Sequence, residues 1–128
     1  MYPDNKPYDF RVHLSTPISL AGYWTVSLLE ICIDRGQALK YPTSELFVFS
    51  NLCDNTVLGG HDVPLLRRVW LKDNKQNIIY QVPYDVPLQI GQFQDVHIYI
   101  KDSQGKETSF IQHKVSVTLH LKRRPFVS

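Results

Sequence analysis

Apolar and polar residues alternate along much of this chain, and the alternation is most regular near its end. Between Val115 and Leu121 every second residue is apolar, and the residues between them are Ser116, Thr118 and His120. A period of two is typical of a strand with one face on a core and the other in water. The segment 115–121 is therefore predicted to be a strand that borders the core.

The same period recurs along the chain, and no window of comparable length has a convincing helical period. Eight strands are predicted, at residues 9–14, 23–33, 46–51, 65–71, 78–82, 96–101, 107–111 and 115–121. We expect segments 65–71 and 78–82 to pair with each other, residues 102–105 to form a hairpin turn, and residues 54–64 to form a loop. The fold class predicted is all-β: an eight-stranded antiparallel β-sandwich, with a single jelly roll ahead of an immunoglobulin-like topology.

The regular pattern fails within the second predicted strand. If Trp24, Val26 and Leu28 face the core, strict alternation would place Glu30 there too, and an unpaired buried charge costs several kcal/mol. Either a bulge turns Glu30 outward or a basic side chain meets it.

The centre of the core is predicted from the middle of the most regular runs, where the ends of strands have the least influence. This set contains five residues: Trp24, Val26, Ile98, Val117 and Leu119.

Composition places the chain among globular proteins, with 43% hydrophobic and 20% charged residues. Its 128 residues suit one domain, predicted at 9–124, with an irregular lead-in at 1–8 and a tail at 125–128. A formal charge of +2 does not favour nucleic acid as a partner. No apolar run is long enough to cross a membrane, so a membrane partner is not expected.

Chemical candidates are few, and we expect no enzyme activity, cofactor or small-molecule substrate. Three of the five histidines alternate with apolar residues and belong to the wet faces of strands. No nucleophile elbow or phosphate-binding glycine loop is present. The two cysteines are expected to be free thiols, because Cys32 lies in the apolar run 28–33 and Cys53 follows a strand at a turn. A single pair of thiols also cannot supply a tetrahedral zinc site.

Two basic clusters stand out in a nearly neutral chain. Arg67 and Arg68 form the first. The second is formed by Lys122, Arg123 and Arg124. Phe126 follows the second cluster as a candidate apolar anchor. These six residues are the candidate subunit interface. A neighbouring subunit could supply the acidic partners from Glu30, Asp54, Asp62 and Asp85.

Five segments in order resemble one family. They are AGYWTVSLLEI at 21–31, PLLRRV at 64–69, VPYDVPL at 82–88, VHIYIKDSQG at 96–105 and VSVTLHLKRR at 115–124. Their order and spacing resemble the penton-like single jelly-roll minor capsid proteins of polinton and adintovirus-type elements, distant relatives of the adenovirus penton base. The resemblance covers residues 20–124 and is best in the C-terminal half.

This resemblance implies a single jelly roll and a homo-oligomer, a pentamer, at the vertices of an icosahedral shell. The partner would be a major capsid protein with a double jelly roll. The location would be the virion, and the host cytoplasm or nucleus during assembly. The family has no catalytic residues. Unlike the adenovirus relatives, this chain has almost no insertions between strands, so no receptor-binding or fibre-binding role is carried over.

A second interpretation stays open: a receptor- or glycan-binding β-sandwich head domain, as a trimer. Such a head is expected to carry a loop cluster of acidic and amide residues with aromatics. Asn51, Asp54 and Asn55 form a thin version of that cluster.

Overall fold

The chain consists of β-strands joined by turns. A computed structural model describes residues 5–34, 44–58, 60–71, 75–89, 91–106, 108, 111 and 115–124. Its ten strands are β1 (Asp9–Ser19), β2 (Trp24–Asp34), β3 (Ser44–Ser50), β4 (Thr56–Leu58), β5 (His61–Val63), β6 (Leu65–Leu71), β7 (Lys75–Ile79), β8 (Val86–Pro87), β9 (Gln92–Asp102) and β10 (Val115–Arg123). No helix occurs in these ranges, so they contain no helix that is long and apolar enough to cross a membrane.

The strands form two main sheets in which every pairing is antiparallel. Sheet A has the strand order β1-β9-β3-β6, and sheet B has the order β10-β2-β7, with β8 also paired to β2. Strands β4 and β5 form a separate two-stranded ribbon. The predicted all-β class with antiparallel sheets is confirmed. The predicted number of eight strands is not, since three short strands (β4, β5 and β8) lie in segments without a strand pattern.

The core lies between the sheets, as in a β-sandwich. Each sheet contributes alternate apolar residues to it: Val26, Leu28, Ile31 and Ile33 from sheet B, and Leu46, Val48, Leu66, Val69, Leu71, Ile98 and Ile100 from sheet A. Of the five predicted core residues, Val26 and Ile98 are buried, while Val117 and Leu119 are half-buried against the core. Trp24 is also half-buried but lies outside the core cluster, because it begins β2 and its indole N–H donates to the Ala21 carbonyl.

A bulge in β2 explains the failure of alternation. Thr118 of β10 pairs with Glu30, but its neighbour Leu119 pairs with Leu28, so Leu29 is the extra residue. Leu28 and Ile31 are both fully buried, whereas Glu30 is turned outward, 3.5 Å from the Thr118 hydroxyl. Of the two alternatives, a bulge or a basic partner for Glu30, the structure shows the bulge.

Two predictions about connections are wrong. Segments 65–71 and 78–82 do not pair: β6 pairs with β3 and β7 with β2, so the chain passes from sheet A to sheet B between them. The strand expected at 78–82 begins earlier, at Lys75, and ends at Ile79. The segment 54–64 is not only loop, since it contains the β4–β5 ribbon, turned near Gly60, whose φ is +80°.

The predicted turn at 102–105 is present. Gly105 has a φ of +79° and donates its N–H to the Asp102 carbonyl. The predicted strand at 107–111 falls largely outside the described residues, among which Thr108 is buried and donates its hydroxyl to the Ile100 carbonyl.

Strand pairs are nested along the chain. Strand β1 pairs with β9, β2 with β7 and β8, β3 with β6, and β4 with β5. This is the order of a long hairpin whose two arms run side by side. Strand β9 also pairs with β3, which joins the first and third pairs within sheet A. Strand β10 then lies on the free edge of β2.

Candidate subunit interface

The predicted interface residues lie on the edge strands of two different sheets. Arg67 and Arg68 belong to β6, at the edge of sheet A, whereas Lys122 and Arg123 belong to β10, at the edge of sheet B. Phe126 and the tail 125–128 lie outside the described residues.

Arg67 contacts its own chain closely. It pairs with Val48 of β3, and its guanidinium carbon lies 3.6 Å from the centre of the Tyr80 ring. Its Nη1 donates to the Val82 carbonyl at 3.2 Å. Burial raises the pKa of the Tyr80 hydroxyl, and the charge and hydrogen bond of Arg67 oppose this rise. Arg67 therefore links sheet A to the segment after β7.

Arg68 points to the opposite face of β6. Its Nη1 lies 3.7 Å from a carboxylate oxygen of Glu45, and its guanidinium carbon lies 5.8 Å from the Trp70 ring centre. The Arg68 side chain is largely exposed, so this ion pair contributes only about 0–1 kcal/mol to stability.

The C-terminal basic cluster lies at the start of β2. Lys122 pairs with Thr25, and Arg123 pairs with Trp24. The guanidinium of Arg123 lies over Gly22. A Cβ atom added to Gly22 would be 3.6 Å from the Nε and Nη2 atoms of Arg123. All three basic side chains are exposed, and within the described ranges none forms an ion pair.

An exposed tyrosine accompanies this cluster. The Tyr23 carbonyl accepts a hydrogen bond from the Arg124 N–H at 2.7 Å, and 72% of Tyr23 is exposed. We call Tyr23, Lys122, Arg123 and Arg124 the β10 flank.

The structure does not bring the two predicted clusters together. Strand β10 occupies one side of β2, while β7 and β8 occupy the other side, where Arg67 contacts Tyr80. The five candidate residues that the structure describes thus do not form one patch. Their interface role stays a prediction.

A protruding loop separates β7 from β8. Both strands pair with the same side of β2. The segment that connects them, 80–85, has six residues, but it lies opposite only three residues of β2, 27–29. The excess chain turns outward, so that Val82 is 77% exposed and Tyr84 is 51% exposed. In the sequence, Pro83 and Pro87 indicate that the strand is interrupted between 79 and 86.

Two carboxylates lie beside this loop. Asp85 directly precedes β8, and Asp54 donates its N–H to the Pro87 carbonyl at 2.9 Å. Both residues are exposed, and neither forms an ion pair within the described part of the chain. We call Asp54, Val82, Tyr84 and Asp85 the β8 flank. The sequence names Asp54 and Asp85 as possible acidic partners together with Glu30 and Asp62, and does not separate these four from one another.

An aromatic cleft lies on the outer face of sheet A, against the β4–β5 ribbon. Its volume is about 430 Å³, and its walls include Phe47, Phe49 and Tyr99. The Phe49 and Tyr99 rings stack with their centres 5.0 Å apart. Burial raises the pKa of Tyr99, and the nearby Asp9 carboxylate adds to this rise.

The loop residues considered for sugar binding are only partly available. The side-chain amide of Asn51 donates to the Asp95 carbonyl and accepts from the His97 N–H, so it is used within the chain. Asp54 accepts a hydrogen bond from the N–H of Asn55. The arrangement leaves few side-chain groups to recognise a sugar.

Two of the histidines have acidic partners, and one of the two cysteines is buried. His13 and His97 contact Asp95 and Asp9 across the β1–β9 pair, at 2.8 Å and 2.6 Å. Over the described ranges, no group of three or more metal-ligating side chains occurs. Cys32 and Cys53 are free thiols, as predicted, and burial raises the pKa of Cys53 to about 12.

Comparisons with family models, curated proteins and solved structures found no match to this chain.

Proposed function

We propose that the protein is a structural viral capsid protein, a penton-like vertex subunit that self-associates and docks with a major capsid protein. The observation that carries the proposal is the nested pairing of the strands. A jelly roll is a long antiparallel hairpin rolled into two sheets, and it recurs in viral capsid domains.

The sheet in which each nested pair lies supports a single jelly roll. Sheet A contains the outermost pair, β1 with β9, and the third pair, β3 with β6, and the pairing of β9 with β3 joins them. Sheet B contains the second pair, β2 with β7 and β8. Two features depart from the simplest form: β4 and β5 pair only with each other, and β10 extends sheet B beyond β2. Neither changes the nesting of the other pairs.

The flanks of the sandwich support self-association. Tyr23, Val82 and Tyr84 are all more than half exposed and lie on two opposite sides of β2. Exposed apolar side chains beside charged ones are typical of protein interfaces. A ring of identical subunits needs two different patches on each copy, because every contact in it is heterologous.

The proposed setting is the virion, with assembly in the host cytoplasm or nucleus. The favoured state is a pentamer. The major capsid protein would contact surfaces that the ring leaves free.

Sedimentation of the purified protein tests this function. We expect a closed oligomer of five copies of the 14.9 kDa chain. A chain ending at Lys122 removes Arg123, Arg124 and Phe126 and is expected to lose the oligomer, whereas Lys106→Glu, at an exposed turn, is the matched control. If the wild type stays monomeric even with its shell protein supplied, the proposal fails. If the truncated chain forms the same oligomer, the tail is not at the interface.

The aromatic cleft favours a second candidate, the receptor- or glycan-binding head. Its volume of about 430 Å³ lies within the range of small-ligand sites, roughly 300–1,000 Å³. Lys101, Asp102 and Gln104 would supply the polar contacts at its rim. A trimer in sedimentation, together with glycan binding that Tyr99→Ala abolishes, would favour this candidate over the capsid subunit.

A further inference from the structure

We infer that the β10 flank of one subunit binds the β8 flank of a second copy of this chain, and that this contact, repeated head to tail, closes the ring. The inference rests on the proposed function and adds the two surfaces that meet. The basic side chains of Lys122, Arg123 and Arg124 would face the carboxylates of Asp54 and Asp85.

The two flanks share one level of sheet B at a single pair of charges, Lys122 and Asp54. Lys122 pairs with Thr25, Thr25 pairs with Pro87, and the Pro87 carbonyl accepts from the Asp54 N–H. These four residues form one row across the sheet, with the cation at one end and the carboxylate at the other. At about 4.8 Å per strand, the two ends lie about 14 Å apart. Both charges are thus at one height on opposite flanks.

The level matters because it decides between a ring and a filament. A heterologous contact between patches at different heights shifts each copy along the axis and builds an open helix. In an assembly whose axis follows the strands of sheet B, charges at one level allow a rotation without that shift. A closed ring follows when the rotation divides a full turn evenly.

The charges on the two flanks have opposite signs. Neither the three cations nor the two carboxylates form an ion pair within the described part of the chain. Arg67 and Arg68 differ, because one stacks on Tyr80 and the other pairs with Glu45. The C-terminal cluster is therefore the basic group that is available to meet a neighbour, and charge-assisted hydrogen bonds would fix the register of the contact.

Each flank also carries an exposed tyrosine beside its charges. Tyr23 lies next to Arg124, and Tyr84 lies next to Asp85. Tyrosine and arginine are enriched among the residues that dominate binding energy at interfaces. Arg67 acts indirectly, since its hydrogen bond to the Val82 carbonyl holds the loop that presents Tyr84.

Charge reversal tests the inference. In the first variant both flanks are acidic, because Lys122→Glu, Arg123→Glu and Arg124→Glu reverse the β10 flank. In the second variant both flanks are basic, because Asp54→Lys and Asp85→Lys reverse the β8 flank. A swapped variant carries all five changes. We expect each single-flank variant to lose the closed oligomer in sedimentation and the swapped variant to regain it. A control with Lys6→Glu and Lys106→Glu changes exposed cations elsewhere and is expected to assemble like the wild type.

Mixing the two single-flank variants sharpens the test. Each contact then joins an acidic copy to a basic copy, so copies must alternate, and a ring with an odd number of members cannot close. We expect the mixture to form even-membered rings or open chains, distinct from the wild-type oligomer. Circular dichroism of each variant establishes that it is folded, and weaker wild-type assembly at high ionic strength is expected independently of any substitution.

The outcomes separate the two proposals. A wild type that associates while both reversed variants associate equally well overturns the inference and leaves the proposed function standing. Loss in both reversed variants without recovery in the swapped variant also overturns it, because the two flanks then do not meet each other. A wild type that never associates overturns the proposed function, and the inference with it.

Discussion

The bulge at Leu29 decides which side chains of β2 enter the core, and two neighbouring substitutions test it. Strict alternation would bury Glu30 beside Leu28 and leave Ile31 in water. With the bulge, Ile31 is fully buried in the core cluster and Glu30 is turned outward. The substitutions are Ile31→Ala and Glu30→Ala.

The expected magnitudes differ widely. Ile31→Ala removes three buried carbons, about 2.4 kcal/mol at roughly 0.8 kcal/mol each. The cavity left behind brings the loss of unfolding free energy to about 2–5 kcal/mol. Glu30→Ala removes a half-exposed side chain whose contact with Thr118 is 3.5 Å long, and should change stability by no more than about 0.5 kcal/mol.

Urea unfolding followed by circular dichroism measures both values. All variants must be compared at one protein concentration, because association adds to apparent stability. Leu29→Ala is the matched control: it removes the same three carbons from a residue that is 38% exposed, and we expect a loss of about 1.5 kcal/mol, smaller than that of Ile31→Ala. If Glu30→Ala destabilises as much as Ile31→Ala, β2 does not have the bulged register.

Four other predictions concern individual side chains. Ser27 has the one buried side-chain oxygen without a hydrogen bond in the described ranges, so Ser27→Ala should leave the melting temperature unchanged or raise it. Arg67→Ala should lower the melting temperature, whereas Tyr80→Phe, which keeps the ring under the guanidinium, should lower it less. Because Cys53 has a raised pKa of about 12, a thiol reagent should label Cys32 first. For the same reason stability should fall as pH rises above about 9, where the unfolded Cys53 thiol ionises, and Cys53→Ala should reduce that fall.

Alternation located strands well where one face is wet. Strands β9 and β10 contain the predicted segments 96–101 and 115–121, and β6 has the predicted bounds Leu65–Leu71. In β10 the residues alternate between half-buried and exposed from Val115 to Leu121, so side-chain periodicity follows burial directly. The bulge was also predictable, because a lone glutamate in an apolar row conflicts with the cost of burying a charge.

Pairing partners could not be read from the same pattern. Periodicity indicates which face of a strand is buried, but it does not indicate which strand lies beside it. The link between β6 and β7 resembled a hairpin, yet both strands pair elsewhere. Strands β4, β5 and β8 were missed because they are two or three residues long and are defined by backbone hydrogen bonds.

The candidate site was predictable only as a set of charges. The sequence identified Arg67 as basic, but its contact with Tyr80 depends on the packing of two sheets. Likewise, Asp54 and Asp85 stand apart from other carboxylates only because backbone pairing places them both beside β8. Phe126 stays a prediction.

Electron cryo-microscopy of the purified protein can show directly whether the chain forms a five-membered ring. We predict closed rings with five-fold symmetry, in which β10 of each subunit lies beside β8 and the loop 80–85 of the next. Single subunits, or particles with three-fold symmetry, would contradict the capsid vertex function.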